Sequence, residues 1–362
     1  MIGLSVAWRL GRAGLGPRTV LLERDRTGQG ASRVAAGMIA PVAEAGFDDP
    51  DSLAFGRLSR DRYPSFVDEL SADAGTAVGF EPSGSLVVAI HRDDVEAMRR
   101  TYRYRQSVDL PVEWLSGSEA REREPALTPR VSAAMWIRDD GQVDTRALLP
   151  ALALACERHG VTLRESAEVS RVVLEGDAVC GVEVRGERVD ADVVVVAAGA
   201  WSGSLAGIPD EFLPPVRPVK GQIVRLKRTG DFALAHMIRG PWAYLLPKAD
   251  GSVVVGATQE EAGFDTSPTA GGIKNILEYA WEFVPSIYDL PVASIEVGLR
   301  PGTRDHRPVI GATRLRGLVM ATGHFRHGIS LAPATADAVC AGIVTGRFPE
   351  TVAAFSPERF AR

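Results

Sequence analysis

Apolar positions recur at helical spacing in several stretches, with short β-branched runs between them. Residues 1–10 (MIGLSVAWRL) predict an amphipathic first helix stopped by Gly11-Arg12-Ala13-Gly14. Residues 53–72 share that spacing, and residues 93–106 predict a helix with Asp93 as N-cap. Residues 144–159 form a clear helical pattern, with Thr145, Leu148, Leu149, Leu152 and Ala155 on one face. Residues 332–342 predict one more amphipathic helix. Strands are expected at 19–22, 84–90, 161–173 and 178–184, the last two around the turn Glu175-Gly176-Asp177. Residues 192–198 (DVVVVAA) and 317–323 (GLVMATG) are continuous apolar runs ending at glycine, the pattern of strands buried on both faces in a parallel sheet. Residues 221–226, 244–247 and 251–257 alternate and lack intervening helices, which predicts an antiparallel sheet. Residues 28–41 (GQGASRVAAGMIAP) have no strong period and read as a loop leading into a buried short helix.

Parallel α/β pieces at about 1–45, 145–205 and 315–345 therefore interleave with antiparallel ones. The expected fold is mixed α/β, with two domains each built from discontinuous segments. The first helix and strand carry half of a nucleotide-binding signature. Glu23 ends a strand twenty residues after Gly3, as the acid does in a dinucleotide-binding βαβ unit, where a third glycine allows close helix–strand packing. The strand and first two glycines of such a unit do not precede Gly3 in this chain.

Composition narrows the function classes. The 362 residues are 45% hydrophobic and 24% charged, as in a globular protein with a sizeable core. A net charge of −5 gives no basic field for nucleic acid. No run of about 18 apolar residues suggests a membrane span. Cys156, Cys180 and Cys340 lie far apart, without metal spacing, which fits a reducing cytoplasm. His324 and His327 have no carboxylate or cysteine at ligand spacing, so no metal site is expected.

Three further segments are candidates for chemistry. Residues 195–202 (VVAAGAWS) end a strand in small residues that let a ligand approach the backbone, or make only a tight strand exit. In Gly298-Leu299-Arg300-Pro301-Gly302-Thr303, Arg300 could be a surface charge or a two-donor fork for a carboxylate; spacing alone favours the former. Residues 321–333 (ATGHFRHGISLAP) put a polar, Gly-flanked segment before a helix start, where free N–H groups suit an anion or an electron-rich ring.

Taken in order, these segments resemble the FAD-dependent amine oxidases of the D-amino-acid oxidase family, and within it the bacterial glycine oxidases. The resemblance runs from Gly3 to about Phe355. It is carried by Ala31-Ser32, Ala35-Ala36-Gly37-Met38, Pro218-Val219-Lys220-Gly221, Tyr244-Leu245-Leu246-Pro247-Lys248, Val255-Gly256-Ala257-Thr258, and above all residues 298–303 and 323–329. It implies a Rossmann-like FAD-binding domain (1–80, 143–212 and 297–362) interleaved with an antiparallel-sheet substrate domain (81–142 and 213–296).

The resemblance also implies roles. Glu23 would bind the adenosine ribose, and Ser32, Ala35, Ala36, Gly37 and Met38 would line the pyrophosphate and isoalloxazine. Val169 would meet the adenine, and Ala198, Gly199 and Trp201 would close the cofactor channel. Gly323, His324, Phe325, Arg326, His327, Gly328 and Ile329 would hold the pyrimidine end of the flavin. Arg300 would clamp the substrate carboxylate, with Tyr244 donating to it and Arg326 in support. The implied reaction is hydride transfer from Cα of glycine or a similar amino acid to flavin N5, with dioxygen as acceptor. A sarcosine or D-amino-acid oxidase, a dehydrogenase and a flavin-free remnant are the alternatives. FAD is expected to be non-covalent, since residues 298–311 contain no cysteine and Cys340 falls in the last helix. Gln259 stands where an apolar pocket residue is usual, so a more polar pocket is expected. The resemblance further implies self-association and, in pathway context, a thiazole-forming enzyme as receiver of the imine. Because Glu23 keeps its spacing, the genomic DNA upstream is expected to encode, in frame, an apolar strand and a Gly-x-Gly, with Met1 standing at a misread GTG valine codon. A chain that truly starts at Met1 is expected to bind FAD weakly or not at all and to expose a sheet slot.

Overall fold

The computed structural model describes residues 1–44 and 49–360. The helix-rich segments of the two chain ends and the middle pack together on one side. An eight-stranded sheet stands on the other. In that sheet the order is Val292–Gly302, Arg217–Lys227, Ser252–Gly256, Tyr244–Pro247, Met237–Arg239, Ser85–Ala89, Ala133–Ile137 and Glu113–Ser116. Every neighbouring pair is antiparallel except Met237–Arg239 with Ser85–Ala89. The alternating runs of residues 221–257 thus pair as expected, because each buries one face on a core that includes Leu86, Val224, Val255 and Phe283.

The parallel strands are split. Val20–Leu22 pairs in parallel with Thr162–Arg164, and Val194–Val196 with Leu318–Thr322, but these two pairs do not join. The helix Ile2–Leu10 begins between them. A Cβ at Gly3 would sit 3.4 Å from Ala197 Cβ and 3.9 Å from Leu21 Cδ1, so the packing does not demand glycine there. The split also explains why residues 192–198 are not buried on both faces. Val193 is 40% exposed, and only Leu318–Thr322 is buried throughout, since a groove opens beside the former. Helix Ile2–Leu10 packs on helices Ala332–Thr345 and Thr145–Arg158, with Trp8 fully buried against Phe66.

Local chemistry fixes most element ends. Asp144 caps Thr145–Arg158 by accepting from the Arg146 N–H. Asp49 caps Pro50–Ala74 through the Ser52 N–H, and Gly75 ends it in a left-handed conformation. Asp93 is not an N-cap: Arg92–Ser107 starts one residue earlier after His91, leaving Asp93 in the first turn. In residues 28–41 the short helix is Ala31–Val34, inside the stretch and with no fully buried residue. The chain then extends as Met38–Ile39 against Gly141–Val143. No helix among the described residues is long and apolar enough to cross a membrane.

Candidate active site

A groove of about 1140 Å³ runs from Glu23 and Val169, past the 31–38 segment and Ala198–Trp201, to Tyr244, Arg300 and Arg326. It exceeds the roughly 300–1,000 Å³ of ordinary small-ligand clefts and suits a long ligand plus a small one. Of the predicted residues, Gly3, Glu23, Ser32, Ala35, Ala36, Gly37, Met38, Val169, Ala198, Gly199, Trp201, Tyr244, Arg300, His324, Phe325, Arg326, Gly328 and Ile329 all line it. Gly323 and His327 do not. The open side of Gly323 is filled by Thr303 and Val309, and the His327 ring is held on Glu44 (Nδ1 to Oε2, 3.1 Å). Among the described residues no group of three His, Cys, Asp or Glu is placed to hold a metal ion.

Two glycines make room for the polar end. Arg300 lies on the edge strand opposite Val219, and its guanidinium folds across the neighbouring strand at Gly221, where a Cβ would come within 2.3 Å of Nη1. Tyr244 lies opposite Gly256, where a Cβ would be 2.5 Å from the phenolic oxygen. Arg300 Nη1 donates to the carbonyls of Thr258 (3.0 Å) and Lys220 (3.3 Å), and Arg300 has no carboxylate partner among the described residues. Burial pulls its pKa below the ordinary value, an effect opposed by Tyr244. Nε and Nη2 remain for a ligand. A guanidinium removed from water without a counter-ion favours an anion beside it, and the fork matches a carboxylate. The Tyr244 hydroxyl makes no hydrogen bond within the described residues, and burial raises its pKa, so it is a neutral donor.

Sequence reasoning missed Glu44 and Arg239. Glu44 lines the groove; it pairs with Arg239 (2.7 Å) and His327 and lies 4.0 Å from Arg326. Burial alone would raise its carboxyl; Arg239, His327 and Arg326 reverse that and hold it well below the ordinary value. Nothing in the local spacing marks either residue, because strand Met237–Arg239 meets Glu44 only through the tertiary fold. Gln259 lines the groove as an exposed residue.

The rim is tied down. Gln222 bonds Glu260 and Thr269, while buried Lys220 bonds Asp265 (2.8 Å) and draws its carboxyl down to about 2. The held segment places Phe264 against Trp201 (5.3 Å between centroids), whose ring also carries the Arg24 guanidinium at 4.0 Å. This stack spans the groove's mouth from strand end to loop. On the inner side, burial lowers the His324 pKa to about 3, so the ring stays neutral and bonds Thr335 (3.0 Å). Tyr63 donates to the carbonyl of Ile329, and Phe325 stacks on His306 with its backbone at φ +50. These bonds hold residues 324–329 against the groove.

A dinucleotide-sized cleft fits this wall. Glu23 uses one carboxylate oxygen on the Asp25 N–H (3.0 Å) and keeps the other free at one end, and small residues line the middle. None of the three free cysteines lines the groove.

The chain is similar to known proteins over its whole length. It is 33% identical to the bifunctional protein ThiO/ThiG of Synechocystis sp. over 365 residues, 99% of this chain but 53% of that protein. It therefore spans about half the length of such relatives. It is 32% identical to the glycine oxidase of Geobacillus kaustophilus over 92% of this chain and 88% of that one. The crystal structure of that organism's glycine oxidase superposes with a TM-score of 0.91 at 31% identity, covering 99% and 96% of the two chains. The sequence model described as FAD dependent oxidoreductase matches residues 1–341, and the chain belongs to that family.

Proposed function

We propose that the chain is an FAD-dependent oxidase of glycine or a similarly small α-amino acid. The observation that carries this is Arg300: a groove-lining guanidinium without a carboxylate partner among the described residues, next to the free hydroxyl of Tyr244. The similarity to glycine oxidases supports the substrate class.

Glu23 is assigned to the adenosine ribose, Ser32 with Ala35–Met38 to the diphosphate and ring, Val169 to the adenine, and Ala198, Gly199 and Trp201 to the channel. His324, Phe325, Gly328 and Ile329 hold the inner wall. FAD held by these residues would supply the hydride acceptor, with dioxygen as the terminal oxidant and peroxide as its product. The chain's own part is positioning. Arg300 and Tyr244 grip the carboxylate, fixing the direction in which Cα–H points. Arg326 adds positive charge at the mouth. No base of the chain is assigned to the amine: Glu44, between its cations, and His324, by burial, are both held well below their ordinary pKa and are weak proton acceptors. The amine therefore reacts as its free base.

Residues 1–80, 143–212 and 297–362 are assigned to the FAD domain and residues 81–142 and 213–296 to the substrate domain. The core around Leu86, Val224 and Phe283 supports this, being drawn from the second set alone. The free cysteines suit a reducing cytoplasm. Fusion of ThiO with ThiG in a relative supports delivery of the imine to a thiazole-forming partner. The test is the flavin spectrum of the purified protein, then peroxide release with glycine, sarcosine and D-alanine. A yellow protein that turns over glycine supports the assignment; a flavin-loaded protein inert to all three refutes it.

A further inference from the structure

A second cleft, of about 660 Å³, opens where the edge strand Val292–Gly302, the start of helix Thr145–Arg158 and the 29–34 segment meet. Its charge is unusual for a chain of net charge −5. Arg33, Arg146, Arg225 and Lys227 line it, against only Asp250 and Glu296. Arg225 is 2% exposed, yet its Nη1 reaches only Ser252 Oγ at 3.3 Å, and its Nε faces Glu296 Oε1 at 3.4 Å without a hydrogen bond. The same Glu296 oxygen is shared with Arg146 and with Ser294 Oγ. Asp250 is turned to the N–H and hydroxyl of Ser252. Arg33 and Lys227 are exposed and have no ion pair among the described residues. Two like-charged guanidiniums share one carboxylate oxygen and two unpaired cations stand at the rim, so positive charge remains in excess even with Asp144 also acting on Arg225.

We propose that this cleft is a second ligand site, for a small organic phosphate monoester. Such an ester carries close to two negative charges at neutral pH, opposite in sign to the excess. Planar guanidinium forks and a lysine are the usual partners of phosphate oxygens. The volume lies within the range of small-molecule sites and far exceeds a bare ion, and Val34, Ala293 and Val297 supply apolar wall for an organic part. The site is distinct from the clamp at Arg300, which does not line it. It is linked to the cofactor groove through shared residues: Gln29, Gly30 and Val34 line both. The Thr145 hydroxyl, beside Arg146, bonds the carbonyl of Ala35 (3.1 Å). An ester bridging Arg33 to Arg225 and Lys227 therefore draws the 29–34 segment against the sheet and slows loss of the cofactor.

The test is calorimetric titration of the flavin-loaded protein with ribose 5-phosphate, inorganic phosphate and succinate at fixed ionic strength. The parent is compared with an Arg33→Ala/Lys227→Ala double variant, whose substitutions are both at exposed positions. The expected result is one saturable site for the ester, with inorganic phosphate and succinate at least tenfold weaker. The double variant should lose at least tenfold in ester affinity while keeping its flavin content and its turnover without ester. Absence of saturable ester binding, or equal binding by parent and variant, overturns the site. Succinate or inorganic phosphate binding as tightly as the ester overturns its assignment to a phosphate monoester. Binding heat is read without turnover, so failure of the oxidase assignment would show separately.

Discussion

Replacing Arg300 by Met tests the clamp directly. The side chain keeps its bulk, but the fork and its charge are lost. Each charge-assisted hydrogen bond to a carboxylate is worth about 1.5–3 kcal/mol, so two of them amount to roughly 3–6 kcal/mol. At about 1.4 kcal/mol per factor of ten, kcat/KM for glycine should fall by roughly a hundred- to ten-thousand-fold. Most of the loss should be in KM, because the grip exists before the transition state. Arg300→Lys keeps charge without the fork and should recover about tenfold. The control is a substrate without the carboxylate charge, glycine methyl ester, assayed by the same peroxide release. Its turnover, however slow in the parent, should change little in the variant, and the flavin spectrum should be unaltered. Equal losses for acid and ester would refute the reasoning, since the arginine would then be supporting the fold or the flavin rather than the carboxylate.

Gly221→Ala reaches the same guanidinium without touching its charge. The added Cβ would lie 2.3 Å from Nη1, so KM for glycine should rise about tenfold or more with flavin content retained; an unchanged KM would show that the fork has room to move. Asp140 is fully buried, with Oδ1 unpartnered, and burial raises its pKa from 3.8 to about 7. The folded state therefore binds the proton more tightly than the unfolded state, and stability falls as pH rises from about 4 to 7. That difference is worth roughly 4 kcal/mol above pH 7. Asp140→Asn should be more stable than the parent at pH 8 in urea unfolding, with the gain shrinking towards pH 4; a pH-independent difference would sink this account. Tyr63→Phe leaves the buried carbonyl of Ile329 without its donor, at a cost of about 1–3 kcal/mol, and should lower Tm by several degrees and speed flavin loss on dilution. Trp201→Ala removes the platform between Arg24 and Phe264 and should speed flavin release while leaving KM for glycine within a few-fold; a matching rise in KM would place Trp201 at the substrate instead.

Much of the fold was legible because period and chemistry agreed locally. The helix after Asp144, the hairpin around Gly176 and the alternation of residues 221–257 all follow from residues within a few places of each other. The burial of residues 192–198 was not, because an apolar run does not report that its neighbour is a groove rather than a strand. The clamp lay between these cases. By spacing alone Arg300 reads as a surface charge, and its meaning depends on Gly221 lying across the strand pair. Glu44 and Arg239 were invisible, since their 2.7 Å pairing joins positions 195 residues apart. The basic cleft was equally hidden: its four cations come from three separate stretches, and none is marked by its neighbours in sequence.

The packing of helix Ile2–Leu10 on helix Ala332–Thr345 also sets an order in time. The earlier helix is made first, and its partner arrives after more than 300 further residues, roughly 15–70 s later at ordinary elongation rates. The pairing of Val194–Val196 with Leu318–Thr322 waits as long. Throughout that interval Val6 and Leu10 lack the apolar surface they share with Val339 and Ala334. The cofactor groove cannot exist on the nascent chain. Flavin capture is therefore a late event, and the apolar faces of the growing protein are the ones a chaperone would meet first.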